Sequence, residues 1–431
     1  MNVNIITLGC SKNTVDSENL AGALADAGFK VYFDRQRNDC DVVIINTCGF
    51  IGDAKEESVN TILQQVAVKQ RGRKKRLLIA VGCLVERYKA DLQKELPDVD
   101  AWFGVHEWRE IAEYVSGQQA AVSGQLQRLQ STPTHYAYLK ISEGCNRSCS
   151  YCAIPLIRGR HVSRPMEAIV DEAKRLVQSG VKELLVIAQD TTFYGLDLYG
   201  ERRLAQLLER LATESGAEWI RLHYTYPASF PLEVLDVMSK NDNICKYLDI
   251  PLQHINTALL ASMQRNIDRE ATLRLLDTIR QRMPDITLRT TLIVGYPGET
   301  EEMFQELKQF VADARFDRLG AFTYSQEEGT PAQKLGDPLS DEEKQRRLAE
   351  IMDLQDTISY EKNQTLVGKT AKVLVDRREG KYYIGRTQAD SPEVDDEVII
   401  AVGKKKTHPI GEFCMVRITQ AFEHDVMAEL L

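Results

Sequence analysis

Three cysteines within eight residues constrain the fold of this chain more than any other feature. Cys145, Cys149 and Cys152 follow the spacing C-x3-C-x2-C, and the apolar run 136–142 before them has the length of a buried strand. The pattern predicts a cysteine loop at the C-terminal end of a strand. Open α/β folds carry their chemistry at that end of the sheet.

The chemistry of three thiolates narrows what this loop can hold. Thiolates favour iron–sulfur clusters, zinc or copper(I), but a structural zinc site takes four ligands and no fourth one stands near the triplet. A four-iron cluster held by three cysteines leaves one iron open to a further ligand. A zinc knuckle and buried structural cysteines remain the alternative interpretations.

Composition indicates an ordinary globular protein. A length of 431 residues predicts about three domains, and no apolar run approaches the roughly 18 residues that a membrane span needs. The N-terminus has no basic region or cleavage site typical of a signal peptide, so we expect a cytoplasmic protein. Nine cysteines in such a chain favour metal binding or catalysis over disulfides. The net charge of −9 gives no general attraction to nucleic acid, although a local basic patch remains compatible with it.

Residues 1–117 form the first predicted domain. The apolar runs 3–10, 41–48 and 77–83 each end in a cysteine, and helical patterns cover 16–27 and 53–69 between them. Alternating strands and helices predict a parallel sheet whose C-terminal strand ends share one edge. We therefore expect the three terminal cysteines to converge in a second three-cysteine site, although free cysteine is often simply buried. These cysteines are Cys10, Cys48 and Cys83.

The other polar and cysteine residues of these segments receive different predictions. Asn13, Asn46 and Thr47 are candidates for hydrogen bonds to the sulfur atoms. Cys40 and Cys245 precede predicted strands and Cys414 lies in the last domain, so we interpret all three as structural.

Residues 118–134 form a polar predicted linker, and residues 135–361 form the central domain. Six strand–helix units follow one another there, fewer than the eight of a closed TIM barrel, so we expect an open (βα)6 partial barrel. Gly295 and Gly298 would let the backbone approach a ligand, although such turns are equally common without one. His223 and His254 are either acid–base groups or ordinary hydrogen-bonding residues. The strand-end residues predicted to line the barrel mouth are Gln189, Asp190, Thr191, His223, Tyr224, Gln253, His254, Thr290 and Thr291.

Residues 363–431 form the last predicted domain, reached through a long helix over 340–364. Short β-rich runs separated by glycines predict a small five-stranded barrel. Ten lysines and arginines against eleven aspartates and glutamates make this segment nearly neutral. Lys404 to Lys406, with Lys372, Arg377 and Arg378, form either a basic patch or a solvated face.

Several motifs together resemble a known family. The cysteine spacing at 145–152 resembles the signature of radical S-adenosylmethionine (SAM) enzymes, and segments 8–13, 16–18 and 46–48 resemble the N-terminal domain of the methylthiotransferases within that superfamily. The C-terminal segment resembles the OB-like TRAM domain. One departure is the sequence Ala188-Gln-Asp-Thr191, which stands where many radical-SAM enzymes carry Gly-Gly-Glu to hold SAM.

The resemblance implies cofactors and ligands. It implies SAM and two [4Fe-4S] clusters, with the six family ligand positions at Cys10, Cys48, Cys83, Cys145, Cys149 and Cys152. The implied SAM contacts are Gly295, Gly298, Gln189 and Gln253.

The resemblance also implies a substrate. Segments 8–18, 140–145 and 152–159 are similar to the branch that methylthiolates the β-carbon of an aspartate on small-subunit ribosomal protein twelve. That branch implies a low-potential electron donor of the flavodoxin or ferredoxin type, with transfer RNA not expected as a partner. The alternatives are a branch that methylthiolates an adenosine of transfer RNA and, from another class, a two-cluster electron carrier without catalysis.

Overall fold

The computed structural model describes residues 1–36, 39–72, 76–117, 127–401 and 408–431. Most of the predicted linker and the predicted patch at Lys404 to Lys406 lie outside these described residues. The elements form two parallel sheets with helices, one closed barrel and a two-stranded antiparallel sheet of residues 142–143 and 162–163, so the predicted α/β fold class is confirmed. Among the described residues, no helix combines the length and apolar composition that crossing a bilayer requires.

The first sheet is parallel throughout, in the order β2-β1-β3-β4-β5. The sequence pattern missed β2 and β5, because both are short, with four and three residues, and Trp102 is the one buried side chain of the two strands. Helix α1 begins at Ser11, directly after Cys10, and not at Asp16 as predicted. The elements are β1 (Asn2–Thr7), α1 (Ser11–Asp26), β2 (Lys30–Phe33), β3 (Val42–Thr47), α2 (Gly52–Arg71), β4 (Leu77–Gly82), α3 (Cys83–Glu95), β5 (Ala101–Phe103) and α4 (Trp108–Ser116).

The central sheet has six parallel strands in the order β13-β12-β11-β10-β9-β6, so strands run in chain order and the sheet stays open between the first and the last. This confirms the open (βα)6 partial barrel. Its elements are β6 (Tyr136–Lys140), β7 (Ser142–Glu143), α5 (Ile154–Arg158), β8 (Val162–Ser163), α6 (Met166–Gln178), β9 (Glu183–Ile187), α7 (Leu196–Tyr199), α8 (Leu204–Glu214), β10 (Trp219–Leu222), α9 (Glu233–Lys240), β11 (Ile244–Asp249), α10 (Thr257–Ser262), α11 (Arg269–Arg282), β12 (Thr287–Val294), α12 (Glu301–Ala314), β13 (Arg318–Thr323) and α13 (Asp341–Gln364).

Alternation along the central strands separates two environments. One set of side chains, such as Leu139, Val186 and Leu248, packs against the helices in the main hydrophobic core. The side chains between them point to the opposite, inner face of the partial barrel. Cys245, which was predicted to precede a strand, lies within β11 and is fully buried.

The C-terminal domain is a closed five-stranded barrel in the order β14-β15-β16-β18-β17, as predicted. Helix α13 leads into it, with the Ser340 hydroxyl accepting a hydrogen bond from the Glu343 amide at 3.3 Å. The barrel strands are β14 (Thr370–Glu379), β15 (Tyr382–Arg386), β16 (Glu397–Ala401), β17 (Phe413–Ala421) and β18 (Asp425–Leu430).

A segment of the barrel domain occupies the inner face of the central sheet. This inner segment, residues 387–396, connects β15 to β16. The Glu393 carboxylate accepts hydrogen bonds from the hydroxyls of Tyr136 and Tyr138, each at 3.1 Å, and Asp395 accepts one from Tyr247 at 2.7 Å. The inner segment therefore covers the part of the inner face that carries these tyrosines, and the C-terminal ends of the central strands form the mouth of the partial barrel.

Candidate active site

All six cysteines singled out in the sequence line one cavity of about 610 Å³. The cavity lies between the N-terminal and central domains, at the edge where the strands of both sheets end. Parallel topology accounts for this arrangement, because every strand that precedes one of these cysteines runs toward the same edge. Cys10, Cys48 and Cys83 form one wall, here called the N-terminal triplet; Cys145, Cys149 and Cys152 form the other, the central triplet.

Close packing brings the N-terminal triplet together. A side chain at Gly9 would place its Cβ 2.7 Å from Cys48 Cβ and 2.8 Å from Cys48 Sγ, so only glycine lets these two strand ends approach. Cys10 caps the start of α1, and Cys83 is the first residue of α3. Both cysteines therefore stand at the N-terminus of a helix that begins where a strand ends, at the shared edge of the sheet.

Of the three predicted sulfur partners, only Asn13 reaches a sulfur. Its side-chain oxygen lies 3.6 Å from Cys83 Sγ, and its amide nitrogen donates to the carbonyl of Leu8 at 2.8 Å. Asn46 donates to the Asn13 carbonyl at 2.9 Å, and the Thr47 hydroxyl donates to the backbone between neighbouring strands. Asn46 thus joins the end of β3 to helix α1, and Thr47 joins the ends of β3 and β4; neither side chain lines the cavity.

Arg158 connects the two triplets. It ends α5, the helix that follows the central triplet, yet its guanidinium donates to Cys83 Sγ at 3.3 Å and to the carboxylate of Asp16. It also reaches Glu143 at 3.3 Å. Burial favours the protonated carboxyl, but the charges of Lys140 and Arg158 outweigh it and lower the pKa of Glu143 to about 2. Burial raises the pKa of the Cys83 thiol, and Arg158 opposes that rise.

Cations and aromatic rings surround the central triplet. The backbone amide of Arg147 donates to Cys145 Sγ at 3.4 Å, and the Arg265 guanidinium donates to Cys149 Sγ at 3.5 Å. Burial raises the pKa of Cys145 to about 11 and that of Cys152 to about 12. These thiols therefore keep their protons at neutral pH until a metal displaces them.

Two of the predicted SAM contacts line the cavity and two do not. Gln189 and Gln253 are both in the wall, and the Gln189 amide donates to Glu143 at 2.6 Å. Gly295 is buried beside Lys344 of α13, and Gly298 is exposed, so neither glycine is part of the wall.

Of the other residues predicted to line the barrel mouth, some line the cavity and some do not. Asp190 and Tyr224 line the cavity. His223 lies instead at the inner segment, where its Nε2 contacts the Ser391 hydroxyl at 2.9 Å, and His254 Nδ1 accepts the Asn256 amide at 3.0 Å. Neither histidine is in the wall, and neither are Thr191, Thr290 and Thr291.

Sequence reasoning missed several residues of the wall. Lys12, Arg147, Tyr226, Arg265 and Phe322 line the cavity together with the cysteines. Lys12 and Arg147 carried a usable signal, since Lys12 stands between Cys10 and Asn13 and Arg147 stands between Cys145 and Cys149. Cys40, Cys245 and Cys414 are buried and absent from the wall.

The donor set fits iron–sulfur clusters. Within the described ranges, no three histidine, cysteine, aspartate or glutamate side chains are arranged to share a single metal ion. A four-iron cluster makes a different demand, because each cysteine binds its own iron. Each triplet offers three free thiols on the cavity surface, which is what a cluster with one open iron requires.

Family models match all three domains. The Radical SAM superfamily model covers residues 139–311, the model described as uncharacterized protein family UPF0004 covers 2–104, and the TRAM domain model covers 367–431. The ribosomal protein uS12 methylthiotransferase RimO of Phocaeicola vulgatus is 53% identical over 430 residues, which span 100% of this chain and 99% of that one. The RimO of Bacteroides thetaiotaomicron is 51% identical over 100% and 98% of the two chains. The chain belongs to the RimO family.

Membership in the RimO family gives the class of enzyme and its cofactors. The chain is a radical-SAM methylthiotransferase, and its cofactors are SAM and [4Fe-4S] clusters. This excludes the interpretation as a non-catalytic electron carrier. A solved radical SAM methyltransferase, TsrM from Kitasatospora setae, is similar in fold, with a TM-score of 0.58 over 77% of this chain and 76% of that one. At 16% identity, that likeness supports the fold alone.

Proposed function

We propose that this protein transfers a methylthio group to the β-carbon of an aspartate on ribosomal protein uS12. The observation that carries the proposal is the single cavity whose opposite walls hold two cysteine triplets, one from each domain. Methylthiolation joins two chemistries, the supply of a sulfur group and the activation of a C–H bond. Two cofactor sites that face one cavity allow a substrate between them to meet both.

The central triplet is assigned to the cluster that binds SAM. Cys145, Cys149 and Cys152 would hold the cluster and leave one iron open to SAM, and Gln189 and Gln253 of the cavity wall would contact bound SAM. When bound, the cluster and SAM together would supply a 5′-deoxyadenosyl radical, which removes a hydrogen atom from an unactivated carbon. Arg265 neutralises negative charge on the Cys149 side of the site.

The N-terminal triplet is assigned to the second cluster, which takes part in sulfur delivery. Arg158 orients Cys83 and ties the N-terminal wall to the central domain through Asp16 and Glu143. This link joins the two triplets across the boundary between the domains.

The cavity wall also suits radical chemistry. Aromatic side chains of Phe50, Tyr224, Tyr226 and Phe322 line the space and limit the entry of water. Hydrogen-atom abstraction requires no general base, which agrees with the position of His223 and His254 outside the wall.

The reaction implies a supply of electrons and a place in the cell. Each radical event consumes one electron, and a low-potential protein of the flavodoxin or ferredoxin type is the proposed donor. Because uS12 is a ribosomal protein, the proposed location is the cytoplasm.

Competition between substrates tests the proposed function. Anaerobically reconstituted enzyme is offered purified uS12 and unmodified transfer RNA together, and mass spectrometry follows the mass of one methylthio group. We expect the gain on uS12 only, and none on a uS12 variant whose target aspartate is replaced by alanine. A gain on the RNA with none on the protein would contradict the proposal.

The products of SAM provide a second readout of the same reaction. A methylthio group requires a methyl donor and a broken C–H bond, so S-adenosylhomocysteine and 5′-deoxyadenosine should form in comparable amounts per modified uS12. Turnover that yields only one of them is incompatible with the double use of SAM.

A further inference from the structure

Lys12 is a buried cation in the cavity wall. Its side chain leaves the first turn of α1, two residues after Cys10, and only 7% of the residue is exposed. Lysine is rarely buried unless an anion accompanies it, because removal of an ammonium group from water is costly. The burial of Lys12 therefore predicts an anionic partner for its ammonium group.

No carboxylate of the described residues pairs with Lys12. Its ammonium lies instead over the ring of Tyr224, 2.8 Å from the ring centroid. Two other cations of the cavity wall are neutralised: Arg147 pairs with Asp190 at 2.6 Å, and Arg158 pairs with Asp16. Lys12 thus presents to the cavity a positive charge that no carboxylate of the described residues neutralises.

Hydrogen bonds fix the position of Tyr224, whose ring contacts Lys12. Tyr224 adopts a left-handed backbone conformation with φ of 56° and is held by a hydrogen bond from its amide to Asp249 at 2.9 Å. Its carbonyl accepts the Thr191 amide at 3.0 Å, and its hydroxyl lies 3.4 Å from the Ser11 hydroxyl. The ring therefore fixes the ammonium at the junction of the two domains, between the cysteine triplets.

We propose that Lys12 binds the side-chain carboxylate of the substrate aspartate, an inference that rests on the proposed function. In aspartate the carboxylate is bonded directly to the β-carbon. An ammonium that binds the carboxylate therefore also fixes the position of the reacting carbon, which is bonded to that carboxylate, in the cavity between the two cofactor sites. Lys12 is in this account a substrate-binding residue that sets specificity.

The same contact explains how the site would reject other substrates. An adenine base carries no negative charge, so it would leave the buried positive charge of Lys12 without an anionic partner. An asparagine side chain has the shape of aspartate without its charge, and a charged hydrogen bond is worth more than a neutral one. Aspartate should therefore be preferred over asparagine by roughly ten- to hundredfold in binding.

A double-mutant cycle tests the inference. The full enzyme and its Lys12→Met variant are each titrated calorimetrically with full-length uS12 and with uS12 carrying asparagine at the target position; modification of uS12 is measured in parallel. We expect wild-type enzyme to prefer the aspartate form about tenfold or more. In Lys12→Met this ratio should fall to near one, and Lys12→Arg should restore part of it.

Two controls separate binding from folding. Lys30→Met removes another lysine that lies over a tyrosine ring, Tyr32, in the same domain, but Lys30 is exposed and outside the cavity. This variant should keep the wild-type ratio. Thermal unfolding identifies any variant that fails to fold, and the ratio within one variant is independent of the fraction folded.

The outcomes distinguish this inference from the proposed function. If wild-type enzyme modifies uS12 and Lys12→Met keeps the full preference for aspartate, the inference is wrong and the proposed function stands. If Lys12→Met keeps that preference but loses 5′-deoxyadenosine formation without uS12, Lys12 serves SAM or a cluster and the inference is again wrong. If wild-type enzyme leaves uS12 unmodified, the proposed function fails and the inference fails with it.

Discussion

The inner face of the central sheet and its open mouth differ in how their charges are matched. At the inner face, where the barrel domain inserts, arginines meet carboxylates. Arg221 and Arg386 both bind the fully buried Glu183 at 2.7 Å, and Arg289 binds Asp249 and Asp395 at 3.2 Å each. At the mouth, Arg147 and Arg158 are paired with carboxylates, but Lys12 and Arg265 face the cavity without one among the described residues.

This difference distinguishes charged residues that join the domains from charged residues that are available to bind a ligand. Matched buried charges complete each other, so the inner face needs no further partner and serves to join the barrel domain to the sheet. Unmatched cations and free thiols at the mouth are incomplete until cofactors and substrate arrive. A charge that the fold itself does not satisfy therefore indicates a binding site.

The largest expected effect is the loss of chemistry at the mouth. Replacing Cys145, Cys149 and Cys152 with alanine should reduce 5′-deoxyadenosine formation to background, because no cluster then binds SAM. Replacing the N-terminal triplet should leave that formation intact but abolish methylthiolated uS12. Chromatography with mass spectrometry measures both products. Full product formation by the second triple variant would remove the N-terminal triplet from the mechanism.

The next effect concerns stability at the inner face. Glu183→Gln leaves Arg221 and Arg386 buried without their shared anion, and breaking such a pair costs about 3–5 kcal/mol. Chemical denaturation should show this loss in the free energy of unfolding. Glu270→Gln, which breaks an exposed pair with Arg274, is the matched control and should change it by less than about 0.5 kcal/mol. Equal effects of the two substitutions would contradict the contrast between face and mouth.

The smallest effect comes from an imperfectly matched carboxyl at the inner face. Burial raises the pKa of Asp396 to about 7, against the opposing charge of Arg318 and a hydrogen bond from Asn363, while Asp390 and Asp395 add to the rise. Between about pH 4 and 7 the folded protein therefore keeps a proton that the unfolded chain has lost. Stability falls as the pH rises through this window, by up to about 1.4 kcal/mol per pH unit, and levels off above it.

Asp396→Asn checks that dependence. The variant cannot titrate at this position, so its free energy of unfolding should fall less than that of the wild type between pH 5 and 7. Denaturation curves across this range measure the difference. Parallel curves for the two proteins would mean that Asp396 is ionised in the folded state.

The fold and the cysteines of the site could be predicted because they depend on strong local patterns. Apolar runs that end in cysteine define strands, and parallel topology then brings Cys10, Cys48 and Cys83 to one edge. The strand-end residues were predicted less well, because the turn after each strand decides which side chain faces the cavity. Gln189 and Gln253 face it, whereas His223 and His254 do not.

Contacts between domains escaped prediction for a physical reason. No periodicity in segment 387–396 signals that it fills the inner face of a distant sheet. The roles of Arg158 and Lys12 likewise depend on contacts with residues far along the chain, Cys83 and Tyr224 respectively. Such contacts result from the packing of whole domains, and no pattern in the local sequence predicts them.

Iron-edge anomalous diffraction from anaerobic crystals of the reconstituted enzyme tests the central claim most directly. The account predicts two iron peaks on opposite walls of the one cavity, the first bound by Cys145, Cys149 and Cys152 and the second by Cys10, Cys48 and Cys83. A single iron peak in fully active enzyme, or a second peak away from the N-terminal triplet, would contradict it.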